Sequence, residues 1–565
     1  MRSVMGRLLM AAATVGTLLV PAPVGAGNGG DGAGGVSAPG CRARYLVPPS
    51  PLNQTDGMAL DGRGGLYVTM ALYNRIVRVD LQDPRNITVI ADETDAEPLQ
   101  VPDDIALGPD GNLYVTELLG RKVTRLSLDG KQRKVVGTNL GDGGTGTNGI
   151  AFNGEGRLFA TDLSFSDPSH PGGLWEVDPE GIRPPVPVIR PLPTPEGFGF
   201  GPDGLAYVPQ MFAGRIDVID VDDRTVRKLV DGFGYLVALK VDRTGNLLTM
   251  ETDTGKVWRV DRQTGARTFV AVGPRGLDNL VEDRDGTIYV SNFAQGNIWK
   301  VDQARGVMEP LIPDRSLSFP FSLSEAPDGS VVVGDFTAVA RVTGDRVTRL
   351  NRLLVDGLQL LTPGAVQVGD DLYYSDFLPP DGRIFRIDLA TGRRHLVAGG
   401  FGFPWTVREG PGGNVLVSDQ ALGAVFAVDP NNGLRSPLVQ GLRSPSGLAF
   451  DRQRGVVYVS DTGGGQVLAV ASSGAPTAVA TGLHQPEGVA VDRDGTLLVV
   501  EGDAGRLVRV DPRLGTRSVV ATGLPTRTLG VGLPLMNYSS DVLVRRDGTI
   551  LVSGDADGSL VELSC

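Results

Sequence analysis

The sequence predicts an all-β protein built from twelve copies of one four-strand repeat. Three observations carry this: a recurring period, the same turn chemistry at the corners of each repeat, and a composition suited to short strands. From Asp103 the chain reads DDIALGPDGNLYVTELLGRKVTRLSLDGKQRKVVG. A short apolar strand runs into a Pro-Asp-Gly turn, an alternating strand follows over Leu113 to Thr116, and a third covers Lys122 to Leu128. A second Asp-Gly turn and a fourth strand ending near Val136 complete a meander with hairpin residues at its corners. The pattern recurs from Asp56, Asn148, Glu196, Val237, Asp278, Phe321, Pro363, Trp405, Ser446, Glu487 and Ser540, at intervals of 41 to 53 residues. Gly (79) and Pro (39) supply the turns, and 41% hydrophobic residues supply a core, which argues against disorder.

Four-stranded repeats of this length are the blades of β-propellers. A lone meander leaves both faces exposed, so neighbouring repeats must stack to bury them. Propellers hold about four to eight blades, so twelve repeats divide into two six-bladed rings; a single large ring is the alternative. The expected organisation is a signal peptide over 1–26, a Gly-rich leader over 27–40, a first propeller over 41–315 and a second over 316–565. The last repeat stops at its third strand, SLVELSC, while an orphan strand over Arg42 to Val47 precedes the first. Pairing the two would close the last blade and bring Cys41 to Cys565. In an oxidising compartment a disulfide between these two is expected, with unpaired thiols as the alternative.

Arg2 and Arg7 precede an apolar run from Leu8 to Val20, and Val24-Gly25-Ala26 fits a cleavage site near Ala26. The run is shorter than the roughly 20 residues a membrane span needs, so a secreted protein without membrane insertion is expected. The excess of Arg over Lys and the Gly/Ala/Val bias point to a bacterial chain, so the sequons at Asn53, Asn86 and Asn537 are not read as glycosylated. A net charge of −12 repels phosphate backbones and anionic lipid, which disfavours nucleic acid as a partner. A monomer is expected.

The motifs GPDGNLYVTE at 108–117, DNLVEDRDGTIYVSN at 278–292 and PEGVAVDRDGTLLVVE at 486–501 recur in spirit through nearly the whole chain. In these the chain resembles the propeller group of NHL-repeat proteins, the regucalcin/gluconolactonase family, paraoxonases and strictosidine synthases. The resemblance implies that the entrance of each first strand faces the functional mouth. Aligned on the Asp-Gly turns, the first half presents Asp56, Asp103, Asn148, Glu196, Val237 and Asp278, with Asp104 and Asn279 adjacent. The second presents Phe321, Pro363, Trp405, Ser446, Glu487 and Ser540. Carboxylates converging on one axis repel one another unless they take up protons or water, or a cation sits among them. Oxygen ligands select Ca²⁺ or Mg²⁺. By position, Asn148, Glu196, Asp278 and Asn279 are similar to the Ca²⁺ ligands of the gluconolactonase-like and paraoxonase-like enzymes. The same resemblance implies a lactone or ester hydrolase in which the cation polarises the carbonyl and Asp103, Asp104 or Asp56 acts as base. Val237 departs from the ligand pattern, and none of His170, His395 or His484 aligns with the ring.

Other signals are structural on inspection. Gly141-x-Gly143-x-x-Gly146 precedes a strand and lacks the βαβ context of a dinucleotide site. Acids after the second strand, such as Glu117, Asp335, Asp419 and Glu501, recur in most repeats and read as corner bonds. Three loops lengthen the first half, at Asp92–Pro102, Gly141–Thr147 and Ser164–Gly173, and the second half has one excursion, Pro525 to Ser539. The second ring reads as structural, or as a surface for an aromatic ligand on Trp405. The second functional reading is a non-catalytic extracellular module that binds a protein or carbohydrate, set against a hydrolase of small lactones or esters.

Overall fold

The computed structural model describes residue 33 and residues 35–565, apart from 142–145, 164–170, 313–316, 337, 353–361, 379–380, 392, 472–474 and 527–539. The signal peptide over 1–26, leader residues 27–32 and 34, the core of the Gly-x-Gly segment, His170, Asn537 and most of the Ser164–Gly173 and Pro525–Ser539 loops lie outside the described residues. The rest is all-β, broken only by short 3-10 turns such as Ala71–Tyr73 and Met211–Ala213. No helix among the described residues is long and apolar enough to cross a membrane.

The repeat beginning near Asp103 shows how local sequence makes a blade. Its strands are Pro102–Leu107, Leu113–Glu117, Lys122–Leu126 and Arg133–Thr138, paired antiparallel in chain order. Asp110 accepts the Asn112 amide at 3.1 Å and Gly111 takes φ +79°, which closes the first hairpin. Every residue of Leu113–Glu117 is buried, whereas the outer strand keeps exposed positions. Second strands are therefore sandwiched between neighbouring blades, and the apolar clusters lie between sheets; one joins Tyr67, Ile76 and Ile90 to Ile105, Leu113 and Val115.

The described strands form ten four-stranded sheets and one of eight strands, in which two meanders meet through a single parallel pairing, Val272 with Val307. The chain falls into two compact units. One holds the described residues of 52–314; the other joins the described residues of 315–565 to those of 33–51. In the first unit the innermost strands touch in cyclic order: Thr55–Leu60, Pro102–Leu107, Thr147–Phe152, Gly199–Phe200, Leu236–Val241, Leu277–Glu282, and back to the first. In the second the cycle is Pro320–Glu325, Ala365–Val368, Pro404–Glu409, Pro445–Asp451, Pro486–Val491 and Val542–Val544. Several of these strands start with Pro, which is tolerated at a strand's first residue.

The second ring closes as its chain ends suggest. Arg42–Val47 pairs antiparallel with Ser559–Ser564, from Arg42 opposite Ser564 to Val47 opposite Leu560, and supplies that blade's outermost strand. Cys41 and Cys565 form a disulfide across this seam. Between blades, arginines at the start of outer strands clamp the preceding blade: Arg267 donates to the carbonyls of Gly232, at 2.9 Å, and Asp231, and Arg517 to those of Gly482, at 3.1 Å, and Thr481. A planar guanidinium presents a fixed fork of donors that suits two adjacent carbonyls, which gives the Arg excess a structural use.

Candidate functional site

The candidate residues sit on a distortion that recurs in most innermost strands. Pairing with the second strand is regular at the first residue, breaks over the next two, and resumes at the fourth: the register shifts between Thr55 and Met58, Pro102 and Ile105, Thr147 and Ile150, and Leu277 and Leu280. Such bulges re-aim side chains out of the pleat. Here they release the pairs Asp56-Gly57, Asp103-Asp104, Asn148-Gly149 and Asp278-Asn279. A second-strand hydroxyl occupies each gap. Thr116 Oγ1 accepts the Asp104 amide at 3.0 Å and donates to the Asn148 carbonyl; Thr161 Oγ1 accepts the Gly149 amide at 2.8 Å and donates to the Glu196 carbonyl at 3.3 Å. Thr69 Oγ1 donates to the Asp103 carbonyl at 2.5 Å. Each hydroxyl thus fixes the candidate residue of the next blade. The acid that follows is the corner bond: Glu117 accepts the Gln100 amide at 2.7 Å, and Asp335 that of Phe319 at 2.6 Å.

Four carboxyl groups converge at this level. Asp56, Asp103 and Glu196 are buried, while Asp278 and Asn148 keep partial contact with solvent. Burial foremost, then the facing charges of Asp103 and Asp278, push the Asp56 carboxyl well above the usual carboxylate range. Asp103 is pushed the same way by burial and then by Asp278 and Asp104, against the Asp104 amide and Lys240. Glu196 follows through burial and the charges of Asp103 and Asp278, opposed by a hydrogen bond from Asn148. Asp278 is raised by burial and held down by the hydrogen bond it accepts from Asp56. Asn148 Nδ2 also lies 3.4 Å from Asp103 Oδ2. Nearby, Gln54 is fully buried with neither amide atom hydrogen-bonded. The donors are oxygen throughout, which suits a hard cation. Among the described residues, no group of three or more His, Cys, Asp and Glu is arranged to hold a metal ion, so a cation here would rest on two acids and an amide.

Asp104 and Asn279 stand one residue deeper and face other partners. Asp104 Oδ1 accepts from Asn279 Nδ2 at 2.9 Å and from its neighbour Ile105 N at 2.9 Å; Oδ2 accepts from Ile150 N at 3.2 Å. Lys240 Nζ lies 3.2 and 3.0 Å from the two oxygens. Lys240 comes from the strand three steps away in either direction round the ring, so this ion pair crosses the axis. Val237, at that strand's ring position, is buried in an apolar cluster.

Among its described residues the second unit repeats this crossing without four carboxyls facing one another. Arg408 bonds Asp541 from the strand three steps round its ring, and Leu323 N, on the next strand, donates to Asp541 Oδ2 at 2.7 Å. Trp405 is 1% exposed, with the rings of Phe321 and Phe403 at 5.0 and 5.3 Å, so it fills the core and offers no stacking surface. Glu487, buried, is held well above the usual range by burial and then by Asp555, against the Ser540 amide.

No protein-family model matches the sequence, and no curated protein is similar to it. Solved structures are similar to it at low identity. A gluconolactonase from Xanthomonas campestris is 20% identical, with 45% of this chain and 88% of that one covered and a TM-score of 0.37. A GH74 xyloglucanase from Xanthomonas campestris is 14% identical, covering 90% and 91%, with a TM-score of 0.49. A streptogramin B lyase is 12% identical, covering 66% and 93%, with a TM-score of 0.25. The chain is a β-propeller protein, as its own sheets show.

Proposed function

We propose that the mouth of the first ring is a divalent-cation site, with Ca²⁺ the fitting ion, and that it serves the hydrolysis of a small lactone or ester outside the cell. The observation that supports it is the convergence of Asp56, Asp103, Glu196 and Asp278 on one axial level, with burial and mutual repulsion all disfavouring their charged forms. A cation of hard character is the simplest partner that lets such a set ionise. Glu196, Asp278 and the side-chain amide oxygen of Asn148 are the groups that would hold it. When bound, such an ion polarises a carbonyl oxygen and stabilises negative charge there.

The chain's own residues divide the remaining work. Asn148 hydrogen-bonds both Asp103 and Glu196 and so sets their spacing. Asp103 and Asp56 are carboxyls whose affinity for a proton is raised by burial foremost and then by the acids that face them, which suits a base. Asp104, its oxygens engaged by Lys240, Asn279 and two backbone amides, is placed as a scaffold and not as the base. Asn279 likewise gives its amide to Asp104.

The test is a screen of lactones and simple esters with the purified protein, with and without chelator, beside Asp103→Asn. Hydrolysis that needs Ca²⁺ and falls by about 10²-fold or more in the variant supports the hydrolase. Tight Ca²⁺ binding without turnover of any substrate would instead favour the extracellular binding module.

A further inference from the structure

Asp104 hydrogen-bonds the strands that carry two of the candidate ligands and lies beside the segment that carries the third. It follows Asp103 on its own strand. Its Oδ2 accepts from Ile150, two residues beyond Asn148, and its Oδ1 from the side chain of Asn279, beside Asp278. A β-carbon added to Gly197, beside Glu196, would lie 3.5 Å from Asp104 Oδ2. Lys240 reaches the same carboxylate from the far side of the ring. Asp104 is 1% exposed, so its position is set by these partners and not by solvent.

We propose that Lys240 and Asp104 are positioning residues for the cation seat, together fixing the distances between Asn148, Glu196 and Asp278 from one residue below. This rests on the cation reading of the mouth. The Asp104 carboxylate is a hub whose contacts set how closely the bulged strands approach the axis. The Lys240 ammonium holds the hub centred and cancels its charge, so the carboxyls above face the ion as the only uncompensated acids at that level. The second ring supports a positioning role, because Arg408, Asp541 and the Leu323 amide reproduce the crossing where, among the described residues, no such acidic set stands above it. The crossing is thus a device of the ring, and the first ring alone sets ligands upon it.

Charge and position make opposite demands, which allows a decisive test. Lys240 is a cation near a cation site; by charge alone its removal would tighten Ca²⁺ binding, and removal of the Asp104 charge would weaken it. If position governs, both changes weaken it. Ca²⁺ is titrated by calorimetry into the full-length wild-type protein, Lys240→Met, Lys240→Arg, Asp104→Asn and, as a control, Arg408→Met. The expected result is that Lys240→Met and Asp104→Asn each lose about tenfold or more in affinity, that Lys240→Arg restores most of it, and that Arg408→Met leaves it unchanged. Should Lys240→Met fail to fold, Lys240→Gln replaces it. Tighter binding in Lys240→Met, or no change in either variant, overturns the positioning role while leaving the cation site standing. A wild-type protein that takes up no Ca²⁺ defeats the cation reading itself, and the positioning role with it.

Discussion

Removing the Cys41–Cys565 bond should loosen one ring and spare the other. The bond joins residues 524 apart in sequence and anchors the strand Arg42–Val47, whose Val47 is buried in a cluster with Leu323, Leu551 and Leu560. Chain-entropy scaling for a loop of that length sets a ceiling of about 6 kcal/mol at 25 °C, and native disulfides usually contribute ~2–5 kcal/mol. About 4 kcal/mol is therefore expected for Cys41→Ser/Cys565→Ser, or a fall of roughly 10³-fold in amide protection wherever exchange needs the second ring to open. Hydrogen exchange read peptide by peptide resolves the two units. Val542–Val544, Ile550–Gly554 and Ser559–Ser564 should lose that protection, because they share the blade with the N-terminal strand. Thr55–Leu60 and Pro102–Leu107, in the other unit, should keep theirs. Equal loss in both units, or none in the second, would refute the assignment of the N-terminal strand as the seam of the second ring.

Two further outcomes follow from single contacts. Thr116→Val keeps shape but leaves the Asp104 amide and the Asn148 carbonyl without their shared hydroxyl; a loss of about 2 kcal/mol is expected in denaturant unfolding of the first unit, and a neutral substitution would show that the hydroxyl is dispensable. Asp376 is pushed up to about 6, chiefly by burial and against the pull of Arg383. Its folded value exceeds its unfolded one, so its favourable contribution is complete below about pH 4 and is lost as pH rises through 6. Asp376→Asn should match the wild type near pH 4 and gain up to about 3 kcal/mol relative to it at pH 7.5; an offset independent of pH would exclude this titration.

The architecture was legible because the repeat is written in local chemistry. Asp-Gly turns, an apolar second strand and a period of 41 to 53 residues need no tertiary information, and the missing fourth strand at the C-terminus pointed to Arg42–Val47. Ring positions were legible for the same reason, since aligning turns aligns strand entrances. Two features were hidden. The bulge that frees Asp103-Asp104 has no residue signature in the innermost strand; its trace is the Thr or Ser before the corner acid, as in Thr116-Glu117 and Thr161-Asp162, where sequence directed attention to the acid alone. Lys240 was invisible because it lies three residues past an apolar ring position and 136 residues from Asp104, and only ring closure brings them together. Asp104 and Asn279 read as a base and a ligand because sequence gives adjacency to the mouth but not depth.

The most direct measurement is the stoichiometry and affinity of Ca²⁺ for the purified protein, taken alongside Glu196→Gln and Asp278→Asn. One ion per chain, bound about 10²-fold more weakly or not at all once either acid is lost, is the expected result. No uptake by the wild type, or uptake that both substitutions leave intact, would contradict a cation seat among these carboxyls.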